Sequence, residues 1–201
     1  MNRIVRALLT DRRGASAAEF AIVLPLMLIL LFGIIDAGRY AYSFNRAEKA
    51  TQVGARFAVV TTPVAPGLAA FDFTTTGVAA GDPILRGTYG PLTCTSTACA
   101  CDPGGVCPTG TGAPVGAMPE LLARMKAIDP EIVDTNVRVT YTASGLGFAG
   151  DPTGMNISPL VTVSLSGMTF KPVTSLLLAS ITLNSARTTL TAEDSIGSQS
   201  N

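Results

Sequence analysis

The sequence predicts an α+β chain: a long N-terminal transmembrane helix that continues into a small antiparallel β-sheet domain. Three observations predict it. Phe20 to Ile35 is an uncharged, mostly apolar run that follows a basic stub. From Ala37 to about Val60 no proline interrupts, and Tyr40, Phe44, Ala47, Thr51, Gly54 and Phe57 or Ala58 recur at helical spacing. Further on, Val137-Val139-Tyr141 and Val161-Val163-Leu165 alternate with other residues, the pattern of strands with one buried face. At 201 residues the chain suits one membrane segment and one modest domain. The expected division is a cytoplasmic basic leader over 1–14, a transmembrane and assembly helix over 15–60, and an exported α+β domain with a cysteine-containing loop region over 61–201.

Composition narrows the function. Lys and Arg total 14 against 14 Asp and Glu, so no global positive field exists to hold nucleic acid. There is no histidine, which removes Ser-His-Asp and Cys-His catalysis and every imidazole metal site. No phosphate loop or nucleophile motif stands in their place. The expectation is a non-enzyme with no cofactor and no metal. An acidic group, Asp129, Glu131 and Asp134, is the one catalytic candidate, and Pro130 within it reads as a solvated turn.

Arg3, Arg6, Arg12 and Arg13 precede the apolar run, so the positive-inside rule puts the leader in the cytoplasm and the chain after about residue 36 outside. Phe20–Ile35 alone is short for a span of roughly 20 residues; Ala15–Ala18 bring it to length, with Glu19 the exception. An ionised acid costs about 2.5–3.5 kcal/mol at mid-span and less near the end. Glu19 therefore needs a partner or a shallow position. Pro25 removes one backbone donor and crowds the Ala21 carbonyl, which predicts a kink. Asp36 and Arg39, three apart, can pair at the water boundary.

Three readings of this segment compete. A cleavable secretory signal requires an A-x-A-like site after the apolar region, and none lies near Ile35-Asp36-Ala37-Gly38. A plain uncleaved anchor needs only the apolar run. The third uses Gly14 and Glu19 together: a cut after Gly14 leaves Ala15 with a free α-amine one helical turn from Glu19. In a bundle of low dielectric, a neighbour's amine then neutralises that carboxylate and sets axial register.

Gly14 with Glu19 five residues on, followed by an apolar helix, resembles the class III signal of type IV pilin-like precursors. The stretch from Arg13 through Glu19 to Pro25, and the exit Gly33-Ile34-Ile35-Asp36-Ala37-Gly38-Arg39, is similar to the opening of TadE-like pseudopilins, minor components of tight-adherence (Flp-type) pilus machines. The similarity covers about residues 12–60. It implies a pilin-like fold, an inner-membrane location with the C-terminal domain periplasmic, and cleavage between Gly14 and Ala15 by a prepilin peptidase. It also implies inner-membrane platform proteins, other pilins and pseudopilins, and membrane lipid as partners. The alternative is an uncleaved single-pass envelope protein with an extracytoplasmic binding domain.

Helix over 15–60 would extend about 69 Å, far past a bilayer. Its small-residue seam, Ala50-Gly54-Ala58, suits either packing onto its own domain or contact between subunits. Thr61-Thr62-Pro63 stops the helix, and 61–117 reads as loop with short strands near Phe71–Thr75 and Thr88–Leu92. Pro119 to Ile128 is a short amphipathic helix ending at Asp129-Pro130. Strands follow over Asn136–Thr142, Leu160–Phe170 and Ile181–Thr191.

Cys94, Cys99, Cys101 and Cys107 fall in the loop region, outside the cytoplasm on this topology, where disulfides persist. A Cys99–Cys101 ring is strained, which leaves 94–99 with 101–107, or 94–101 with 99–107. A four-thiolate zinc site is the rival; zinc knuckles favour C-x2-C pairs, absent here.

Overall fold

The computed structural model describes residues 14–102, 106–107, 112–152, 154–176 and 180–192, so the leader before Gly14 lies outside the described residues. One helix, α1 (Ala15–Val60), is followed by loop, strands β1 (Leu92–Cys94) and β2 (Cys99–Cys101), helix α2 (Met118–Ile128), and strands β3 (Val137–Thr142), β4 (Leu160–Leu165), β5 (Thr169–Phe170), β6 (Ile181–Thr182) and β7 (Ala186–Thr191). This is the expected α+β order. The chain divides into two compact units, Met1–Tyr42 with Phe170–Ile181, and Ser43–Thr169 with Thr182–Asn201.

The second unit is built on a five-stranded antiparallel sheet in the order β2-β1-β3-β4-β7. Alternation decides its faces. Val137, Val139 and Tyr141 of β3 and Val161, Val163 and Leu165 of β4 are all buried. The intervening residues carry cross-strand hydroxyl pairs, Thr93 with Thr140 at 3.1 Å and Thr162 with Thr189 at 2.8 Å. The Tyr141 hydroxyl is buried and accepts the Val64 N–H at 3.0 Å, and burial holds it protonated far above the ordinary phenol range.

Onto the buried face packs the later part of α1. Ala47, Ala50, Thr51, Gly54, Phe57 and Ala58 are buried, the stripe its spacing predicts. The helix ends where the Thr61 hydroxyl donates to the Phe57 carbonyl at 2.9 Å and Pro63 denies a further donor. Helix α2 carries Pro119 in its first turn and buries Met118, Leu121, Leu122 and Met125.

Four expected strands differ. Phe71–Thr75 is not a strand: Phe73–Thr76 is a 3-10 turn capped by Asp72, whose carboxylate accepts the Thr74 N–H, while Thr75 and Thr76 hydroxyls donate back to nearby carbonyls. The strand expected over Thr88–Leu92 begins only at Leu92. Leu160–Phe170 is two strands, because Gly167 adopts φ 74° and breaks the run. Ile181–Thr191 likewise splits, β6 pairing with β5 and β7 joining the main sheet.

Sheet register also settles the cysteines. Cys94 and Cys99 are direct partners across the β1–β2 hairpin and are joined, and Cys101 is joined to Cys107. Closing loops this short contributes about 2 kcal/mol each in the chain-entropy model. Thiol reductant is therefore expected to lower the unfolding midpoint of the full chain in detergent, and Cys94→Ala with Cys99→Ala to account for about half of the shift. An unchanged midpoint would contradict it.

The first unit contains the apolar part of α1 and the excursion Phe170–Ile181, which includes a 3-10 turn, Val173–Leu176.

Candidate functional site

Gly14 is exposed, and a Cβ placed on it would meet nothing within 4 Å. Helix α1 starts at the next residue, Ala15, and Glu19 follows one turn later. Glu19 is exposed and has no hydrogen-bond or ion-pair partner among the described residues.

Every residue from Ser16 to Ile35 is exposed, including Phe20, Ile22, Leu26 and Leu30. A helix whose apolar stretch lies unburied among the described residues is a candidate membrane anchor by length and composition. The helix continues through Pro25, whose missing N–H leaves the Ala21 carbonyl without its usual intrahelical donor. In lipid that carbonyl calls for a donor from a neighbour.

At the end of the apolar run Asp36 is 7% exposed. One carboxylate oxygen accepts the Val173 N–H at 2.6 Å and Arg39 Nη1 at 3.2 Å. The other accepts the Thr174 N–H at 3.0 Å and the Thr174 hydroxyl at 2.8 Å. Four donors converge on one carboxylate, so the acid is held as an acceptor only. The Asp36–Arg39 pair expected from spacing is present, but the larger role of Asp36 is to fasten the excursion. No local signal marks that contact, because its partners lie 137 and 138 residues away.

The small-residue seam resolves towards internal packing. A Cβ on Gly54 would sit 2.8 Å from Met125 Sδ and 3.2 Å from Val163 Cγ1, so α1 lies directly on α2 and β4. The acidic trio disperses. Asp129 is 1% exposed and accepts Arg46 Nη2 at 2.8 Å, whereas Asp134 pairs with Lys126 at 2.5 Å and Glu131 faces solvent. The solvated turn expected around Pro130 is thus corrected at Asp129, whose charge is buried because Arg46 reaches it from α1. Among the described residues no group of three His, Cys, Asp or Glu is placed to hold a metal ion.

The family model described as TadE-like protein matches residues 14–56. Over that segment the chain is similar to TadE-like proteins. The match opens at Gly14, takes in Glu19, Pro25, Asp36, Arg39 and Arg46, and stops one residue before Phe57. The TadE-like segment is therefore most of α1, and the sheet, α2 and the cysteine hairpin lie beyond it. The resemblance drawn from the sequence holds over this stretch. No curated protein and no solved structure matches the chain.

Proposed function

We propose that this chain is a minor pseudopilin that takes part in assembling a tight-adherence (Flp, type IVb-like) pilus, acting structurally and without catalysis. The observation that carries the reading is the coincidence of the TadE-like match with an exposed apolar run, Ser16–Ile35, whose acid, Glu19, has no partner among the described residues. A prepilin peptidase cuts between Gly14 and Ala15 on the cytoplasmic face of the bacterial inner membrane. The new α-amine of one subunit then neutralises Glu19 of the next, within lipid or a pilin bundle where a close pair is worth more than in water. Platform proteins and other pilins engage the apolar helix, while the disulfide-stapled domain stays periplasmic.

Intact mass of the protein from its own host tests the cut. Loss of the first fourteen residues in peptidase-positive cells, and their retention in cells lacking the peptidase, is expected. Glu19→Ala is expected to insert normally and to abolish piliation. Normal pili from that strain, or from cells whose protein keeps Met1, would leave an uncleaved anchored envelope protein as the better description.

A further inference from the structure

Asp36 fixes the depth of the excursion as well as its attachment. It is the first charged residue after the apolar run, and three of its four hydrogen bonds hold Val173 and Thr174 at that level of α1. Between helix and excursion lies a groove of about 340 Å³, walled by Gly33, Ala37, Tyr40, Phe170, Pro172 and Ile181. Gly33 is three residues before Asp36, about 4.5 Å nearer the bilayer centre along the axis. The groove thus begins inside the apolar run. Its polar end is Asp36 and Thr174, whose side chains are already bonded to each other. Beside it Val173 and Ile181 are 53% and 48% exposed.

The residues around its lip have the character of a membrane–water boundary. Tyr40 meets Phe170 edge-on at 5.6 Å, and Arg39 lies over the Phe170 ring at 5.4 Å. Lys171 is exposed next to them. Aromatic rings with cations at this depth match the headgroup zone, where anionic lipid attracts Lys and Arg. In sequence, Lys171 is the only charged residue of Phe170–Ile181.

We propose that Phe170–Thr174 together with Ile181 forms a second membrane-contacting element, whose groove against α1 takes a phospholipid acyl chain while Arg39 and Lys171 face the headgroup phosphate. The inference rests on α1 spanning the membrane. It adds a lipid contact made by a segment distant in sequence from the span, beyond the TadE-like match. An acyl chain suits the site better than a protein side chain, because the groove is continuous with helix surface that lipid already surrounds.

The chain contains no tryptophan, so a single introduced one reports alone. Full-length Ile181→Trp and, separately, Val173→Trp would be reconstituted in phosphatidylcholine–phosphatidylglycerol vesicles with bromine on the acyl chains. Phe32→Trp, inside the apolar run, reports whether α1 is inserted. Phe32→Trp and at least one excursion probe are expected to lose most of their emission to brominated lipid. Adding Asp36→Ala to the quenched excursion variant should restore emission and open the probe to aqueous iodide. If Phe32→Trp is quenched while both excursion probes are not, the lipid contact is overturned and the span stands. If Phe32→Trp is itself unquenched, the span fails and the inference with it. Blue-shifted excursion emission that ignores bromine and disappears on dilution with lipid would assign the groove to a second copy and overturn the lipid reading.

Discussion

Replacing Arg46 with alanine is expected to destabilise the folded domain by about 3–5 kcal/mol, the usual cost of removing one partner from a buried ion pair. Asp129 has a side chain 2% exposed and accepts Arg46 at 2.8 Å, with the Glu131 N–H at 3.2 Å as a second donor. Without the guanidinium a carboxylate is left in the interior with one backbone hydrogen bond. Domain stabilities of about 5–15 kcal/mol make that loss a large fraction of the whole. Denaturant unfolding of the full chain in detergent, followed by tyrosine fluorescence, reads it directly. The paired change Arg46→Met with Asp129→Leu removes both charges together and should recover most of the stability, since apolar replacement of a whole buried pair is commonly neutral or favourable. Equal losses in the single and the double variant would mean that the packing of these side chains matters and their charges do not.

Gly54→Leu is expected to cost about 3 kcal/mol or more, at or beyond the upper end of ordinary overpacking. The new side chain has nowhere to go. Val163 lies in β4, which is hydrogen-bonded to β3 on one side and to β7 on the other, so the sheet cannot retreat. Gly54→Ala should behave differently. It gains up to about 1 kcal/mol of helix propensity, and the closest atom it meets, Met125 Sδ at 2.8 Å, ends a flexible side chain that can move aside. Only the stiffer Val163 at 3.2 Å resists. The alanine variant should therefore unfold within about 1 kcal/mol of the parent. If leucine is tolerated as well while self-association weakens, the seam serves contact between subunits after all.

Periodicity and hydropathy are carried by neighbours a few positions apart, which is why the linear chain was enough to locate α1, α2 and the main strands, though not the ends of β4 and β7. The buried stripe from Ala47 to Ala58 and the alternating faces of β3 and β4 follow from side-chain direction alone. Gly14, Glu19 and Pro25 were singled out on the same basis, by their distances along one stretch of chain. The misread elements were local competitions decided by conformation. Asp72 and its threonines closed a turn where β-branched residues suggested a strand, and Gly167 divided a run that looked continuous.

Choice of partner needed the folded chain. Spacing left two cysteine pairings open, and the hairpin register that sets Cys94 opposite Cys99 selected one. Arg46 and Asp129 are 83 positions apart, and Asp36 and Thr174 are 138 apart. Nothing in either neighbourhood names the other, because such contacts depend on how the intervening loops close and which strands pair. The amino-acid order by itself determined an apolar helix with one acid near its start and an antiparallel sheet after it. Tertiary packing alone decided that one buried acid would hold the helix to its domain, and that another would hold a distant excursion at the end of the apolar run, since a charge removed from water settles only where donors from elsewhere in the chain converge on it.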